Sequence, residues 1–173
     1  MRKPRIIREN GLYHVVARAN RRESILKSDE IKLMFLQVVE RAKRKFRFKL
    51  VNFCIMSNHF HFMIIPDKGE NLSRIMQWIL SVFAVRFNKR FHLCGHVWYD
   101  RFKSKILDGL QNFLHAFRYI AENPVRAGIV RRPWEYTFNG VTFIMKKDFK
   151  ILEEPDRYVM LYDPVLCEPL MLP

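Results

Sequence analysis

Cysteine is nearly absent: only Cys54, Cys94 and Cys167 occur among 173 residues. The count is odd, the spacing is wide and no Cys-x-x-Cys pair occurs, which argues against a disulfide framework or a zinc ribbon. Reduced thiols in a cytosolic protein fit better. Long apolar runs are missing too, since no stretch approaches the roughly 20 residues that span a bilayer. Met1 to Asn10 is basic and polar, without the apolar run of a secretory signal. A soluble, cytoplasmic protein with no membrane partner is therefore expected. There is no internal repeat and no low-complexity tract. Acidic residues are few, 17 Asp and Glu against 31 Lys and Arg, which leaves a formal net charge of +14. A surplus of that size concerns partners rather than fold. Nucleic acid comes first, because cations that displace counterions from phosphates supply most non-specific affinity. An anionic membrane surface comes second.

With 49% hydrophobic residues the chain has enough apolar material for a core. Residues 11–19 have the β-branched and aromatic content of a strand. Asn20 to Glu23 is a polar, basic break. Ser28 then caps a helix whose apolar positions Ile31, Met34, Phe35, Val38 and Val39 repeat at helical spacing as far as about Lys45. Residues 48–56 and 59–65 are two more strands, joined by Ser57 and Asn58 as a tight antiparallel hairpin. Asn71 caps a second helix through Leu72, Ile75, Met76, Ile79, Leu80 and Phe83. Residues 97–107 hold a fourth strand. Leu110 to Glu122 forms a third helix, closed by Asn123-Pro124 because the residue before proline disfavours the α region. The order β-α-β-β-α-β plus a helix predicts an α+β, ferredoxin-like split βαβ fold with an antiparallel sheet. The expected division is a domain over 1–135 and an extension over 136–173, packed on the core or on a partner. In that extension Pro155, Pro164, Pro169 and Pro173 alternate with apolar residues such as Met171 that need a surface to cover.

Two pairs of residues carry chemistry. His59 and His61 are i and i+2 in a strand, so they share a face about 6.6 Å apart, while Phe60, Phe62 and Ile64 point the other way. Two imidazoles on one side of a rigid strand can grip a divalent ion or a phosphate, but a metal site needs a third ligand. Tyr119 and Asn123 are i and i+4 in a helix, about 40° apart around its axis. A phenol can act as a covalent nucleophile, and an amide oxygen suits magnesium or manganese. Taken singly, each pair also reads as ordinary strand histidines and an ordinary helix end.

Taken together they resemble the single-tyrosine transposases of the insertion-sequence 200 kind. The nearer resemblance is to those associated with repetitive extragenic palindromes. The strings are Met-Ser-Asn-His-Phe-His at 56–61 and Tyr-Ile-Ala-Glu-Asn-Pro-Val-Arg-Ala-Gly-Ile-Val at 119–130. Tyr-His-Val at 13–15, Asn-Arg-Arg at 20–22 and Trp-Tyr-Asp-Arg-Phe-Lys-Ser at 98–104 support them, in the family's order. The resemblance implies that Tyr119 is the nucleophile of a metal-dependent transposase. His59, His61 and Asn123 would be ligands of Mg2+ or Mn2+. The third helix would carry the nucleophile. Single-stranded or hairpin DNA would be cleaved and rejoined through a 5′-phosphotyrosine, by a monomer or a homodimer. Residues 136–173 match no pattern of the family.

Basic residues occur at several places suited to a backbone-tracking groove. Arg5, Arg8, Arg18, Arg21 and Arg22 flank the first strand, Arg101, Lys103 and Lys105 alternate along the fourth, and Arg118, Arg126, Arg131 and Arg132 follow the tyrosine. Of these, Arg18, Arg21, Arg22, Arg101, Lys103, Arg118 and Arg126 are the candidates for DNA contact. Tyr99, Phe102 and Trp134 could stack unpaired bases. His92, Cys94 and His96 alternate, but Gly95 interrupts them and no fourth ligand is near. The rival readings are a non-catalytic binder of hairpin DNA or RNA derived from a transposase, and an RNA-binding sheet module. The second wants exposed aromatics in RNP-like strings, and here histidines alternate with the phenylalanines instead.

Overall fold

The computed structural model of the chain describes residues 8–155. Arg5 and the prolines and methionine beyond Pro155 lie outside them. The order is β1 (Tyr13–Arg18), α1 (Asp29–Lys45), β2 (Phe48–Ile55), β3 (His59–Pro66), α2 (Leu72–Phe91), β4 (Lys103–Ile106), α3 (Gly109–Ala121), α4 (Asn123–Arg126) and α5 (Gly140–Met145). The four strands form one sheet in the order β2-β3-β1-β4. Each neighbouring pair is antiparallel. This is the ferredoxin-like α+β arrangement.

Local chemistry sets the helix ends. The Ser28 hydroxyl accepts from the Ile31 N–H, and Asp29, Glu30 and Lys43 to Lys45 complement the dipole of α1. The Asn71 carboxamide oxygen accepts from the Ser73 and Arg74 N–H groups at the start of α2. One sheet face packs under these helices through tilted and edge-on aromatics. Phe35 of α1 lies 4.7 Å from Phe60 and 5.1 Å from Phe83, ring to ring. Trp98 joins them 5.6 Å from Phe60, and its indole N–H donates to the Leu80 carbonyl.

Three expected boundaries move. The fourth strand is only Lys103–Ile106. Upstream of it, the Trp98 anchor and a single bridge from Ala19 to Trp98 turn the chain away from the ladder. The β2–β3 connection spans residues 56–58, closed by Met56 N–H donating to the His59 carbonyl. The third helix does close ahead of Asn123-Pro124, one residue early, and a helical turn resumes at once. α3 ends at Ala121 and a one-turn helix begins at Asn123, with Pro124 in its first turn, where the missing N–H costs nothing.

The other sheet face receives α3. Strand β2 has a bulge between Leu50 and Asn52. One extra residue shifts the alternation. Leu50 pairs with Ile64 before it, and Phe53 and Ile55 pair with Phe62 and Phe60 after it, all on the aromatic face. Asn52 and Cys54 therefore pair with Met63 and His61 on the α3 side. Asn52 is fully buried there. Its amide nitrogen donates to the Phe117 carbonyl of α3 (3.1 Å) and its oxygen accepts from the Phe53 N–H (2.8 Å). Asn139, equally buried, donates to the Ala121 carbonyl (2.7 Å) and the Pro133 carbonyl (3.2 Å).

The chain beyond residue 135 runs along the free edge of β2. Ile55 N–H donates to the Phe138 carbonyl, and Glu153 N–H to the Leu50 carbonyl. Phe138, Val141, Ile144, Ile151 and Leu152 are buried. An exposed edge is thereby covered. Gly140 sits against the bulge. A β-carbon there would lie 2.3 Å from Asn52 Oδ1 and 3.0 Å from the Phe53 nitrogen. Gly140→Ala must therefore displace the Asn52 amide and leave buried polar groups unpaired. The expected cost is about 1–3 kcal/mol in urea unfolding. Unchanged stability would mean that the Asn52 contacts are dispensable.

Candidate functional site

Strand pairing brings the histidines together. Across β1 and β3, Arg18 lies opposite His59 and Val16 opposite His61. Residues 14, 16 and 18 thus share the α3-side face with His59 and His61, while Tyr13, Val15 and Ala17 are buried on the other. His59 and His61 stand with ring centroids 5.1 Å apart. The Tyr119 ring, 37% exposed, lies 5.6 Å from the His61 ring in the same chain. Asn123, one turn later, donates to the Tyr119 carbonyl (2.9 Å), and its side chain is near enough to His59 to act on that imidazole's titration. All four residues expected at the site are thus neighbours, supplied by one chain.

A fifth residue, His14, was not expected. Its Nε2 lies 2.8 Å from His61 Nδ1, and its ring lies 5.9 Å from Tyr119. Tyr-His-Val at 13–15 is part of the motif set, but no role attached to the histidine. Strand alternation together with the β1–β3 register is the signal that places it.

The electrostatics are one-sided. Burial, then His14, His59 and Arg18, push the His61 imidazole down to about 3. Burial, then Lys105, brings His14 down to about 4. Burial and Arg18 lower His59, partly offset by the Asn123 side chain. All three rings are neutral near pH 7, with lone pairs available.

The basic candidates divide. A cavity of about 880 Å³ opens beside His14, His61 and Tyr119, and Arg18, Arg21, Arg22, Arg101 and Lys103 line it. Arg21 and Arg22 are both left-handed, with φ of 50° and 58°, a conformation that non-glycine residues rarely adopt. Tyr99, 73% exposed, also lines the cavity. Arg118 and Arg126 do not. Arg126 lies over the Tyr119 ring at 5.4 Å and pairs with Glu122 at 2.9 Å. Phe102 is buried, so it offers no face to a base. Trp134 is half-buried beside Arg132. Among the described residues no three His, Cys, Asp or Glu side chains group to hold a metal. That leaves His92, Cys94 and His96 without a site, and a third donor beside His59 and His61 drawn from the described residues is of another kind. No helix among the described residues is long and apolar enough to cross a membrane.

A family model described as "Transposase IS200 like" matches residues 8–123. Among solved structures, a REP-associated tyrosine transposase bound to a REP hairpin is similar, with a TM-score of 0.73 at 18% identity over 90% of this chain and 94% of that one. A protein from Deinococcus radiodurans R1 assigned as a transposase gives a TM-score of 0.50 at 17% identity, over 71% and 97%. At such identities the likeness is one of fold. No curated protein matches the chain.

The lowered histidines link folding to pH. Unfolded imidazoles titrate near 6.5 and the folded ones well below it, so between these values the unfolded chain binds more protons. Stability is complete above about pH 6.5 and falls as the pH drops. For His61 alone the loss between pH 7 and pH 5 should be on the order of 2 kcal/mol, measured by chemical denaturation in chelator. His61→Gln should flatten that slope, and an equally steep slope in the variant would refute the assignment.

Proposed function

The chain belongs to the IS200-like transposase family, and from that premise we propose that it cuts and rejoins single-stranded DNA at a hairpin through a covalent bond to Tyr119. The observation that carries this reading is the Tyr119 ring 5.6 Å from His61, with Asn123 one turn further along, its amide bonded to the Tyr119 carbonyl. A phenol, two neutral imidazoles and a carboxamide converge from a helix and a strand, next to an arginine-lined cavity.

The donor set suits a divalent cation. His59 and His61 are uncharged, and Asn123 offers an amide oxygen, the hard donor that magnesium and manganese take. His59, His61 and Asn123 would hold the ion. When bound, it supplies Lewis-acid polarisation of the scissile phosphate.

The chain's own residues do the rest. Arg18, Arg21, Arg22, Arg101 and Lys103 track the DNA backbone. Tyr99 offers a stacking face to an unpaired base. Tyr119 Oη bonds to phosphorus as the P–O3′ bond breaks. The phenol loses its proton and the released 3′-oxygen gains one. A 3′-hydroxyl reverses the step, so joining needs no nucleotide triphosphate. Arg126 holds a cation against the Tyr119 ring face. Hairpin DNA as partner is supported by the similar structure, which is that of a transposase bound to a REP hairpin. Residues 1–135 are the catalytic domain in this reading, with 136–173 as an extension to it. Tyr119 meets His61 within one chain, which is compatible with an active monomer.

Denaturing electrophoresis of end-labelled hairpin oligonucleotides checks the reading. A protein–DNA adduct should form with Mn2+, disappear with chelator and be absent in Tyr119→Phe. His61→Ala should reduce it to background while hairpin binding persists. Tight hairpin binding with no adduct in the wild type would instead support a non-catalytic binder.

A further inference from the structure

We propose that His14 is a positioning residue for the His59–His61 pair, fixing the ring and tautomer of His61 as Asn58 fixes those of His59. The inference rests on the metal-ligand role given above to the two histidines.

The Asn58 half follows from donors and acceptors alone. The Arg22 carbonyl can only accept, and Asn58 Nδ2 lies 3.3 Å from it. The Asn58 oxygen therefore faces His59, 2.7 Å from Nδ1. That oxygen also can only accept, so His59 carries its proton on Nδ1. Its Nε2 is then the unprotonated nitrogen.

His61 meets the same kind of partner on the same ring atom. Its Nδ1 lies 2.8 Å from His14 Nε2, with the two rings stacked at 5.1 Å. Between two neutral imidazoles at that distance one nitrogen donates and the other accepts. If His61 donates, its Nε2 is left free and the two histidines present matching lone pairs. If His14 donates, His61 carries its proton on Nε2 and cannot ligate through it. Ligating histidines as a rule give their other N–H to a fixed acceptor, which raises their basicity and sets their orientation. His14 is fitted for that task. It projects from β1, the strand that pairs with β3, so sheet hydrogen bonds hold both rings in register.

Two measurements test this, the first without metal. In the 15N spectrum of imidazole-labelled, metal-free protein, His61 should show a protonated Nδ1 and a bare Nε2, as His59 does. In His14→Phe, which keeps the bulk and loses the acceptor, the His61 tautomers should mix. A His61 proton on Nε2 in the wild type overturns the inference. The second measurement is Mn2+ affinity by electron paramagnetic resonance. His14→Phe should bind about 10–100-fold more weakly at an unchanged melting temperature, and His14→Gln, whose amide oxygen accepts, should recover part of the loss. Wild-type affinity in His14→Phe, or affinity in His14→Gln as low as in His61→Ala, overturns it. If the wild type binds Mn2+ no better than His59→Ala, the metal reading fails, and the tautomer measurement still decides the role of His14.

Discussion

The site depends on the hydrogen bonds that two buried asparagines make to the backbone of α3. The histidines belong to a sheet, and Tyr119 belongs to a helix that crosses it. Apolar contacts from Phe117 and Ile120 press the helix down, but apolar contact alone is non-directional and permits sliding. Asn52 and Asn139 reach the Phe117 and Ala121 carbonyls, one turn apart. These directional bonds fix the height of the helix, and with it the place of Tyr119. Neither amide can be removed cheaply. The Ala121 carbonyl ends α3 and has no partner within the helix, and removing Asn52 leaves the Phe53 N–H without the oxygen it donates to; burying either group unpaired costs about 1–3 kcal/mol. The bulge at Val51 is part of the same constraint, because without it Asn52 would point into the aromatic layer.

The second constraint is charge. The charged groups that lower the three imidazoles, Arg18 and Lys105, are both cations. Glu122 is already paired with Arg126. A divalent cation held by two imidazoles and an amide would add charge to a positive surface with no carboxylate ligand to balance it. A phosphodiester would bring balancing charge to such a site. Cation and DNA are therefore expected to favour one another's binding, each reducing the electrostatic cost of the other.

Much of this was legible in the sequence because it is local. The Ser28 and Asn71 caps, the alternation that puts His59 and His61 on one face, and the i, i+4 spacing of Tyr119 and Asn123 each need only a few residues. What escaped depends on pairing between distant segments. The bulge in β2 appears in sequence only as Leu50, Phe53 and Ile55 out of step, which without a partner strand reads as noise. The fourth strand shrank because Trp98, an apparent strand residue, is claimed by the aromatic cluster and the Leu80 carbonyl. Asn139 caps α5, and its donation to the Ala121 carbonyl is invisible without the fold. His14 fell between the two cases, since its face follows from alternation but its neighbour follows only from register.

Register also explains how the cavity and the histidine strand are joined. Two consecutive left-handed arginines cost on the order of 1–3 kcal/mol each unless neighbouring structure enforces them. Here it does. Arg21 N–H donates to the Asn20 side chain, the Arg22 carbonyl accepts from Asn58, and the Ala19 N–H donates to the Asn58 carbonyl. Asn58 is thus shared: it braces the turn that carries two cavity arginines, and its remaining oxygen holds His59. A shift of the Arg22 carbonyl cannot leave the His59 ring untouched, because the same planar amide bonds to both. The strained turn and the His59 ring are therefore parts of one rigid arrangement, which is the condition for a phosphate to be held at a fixed distance from the groups that act on it.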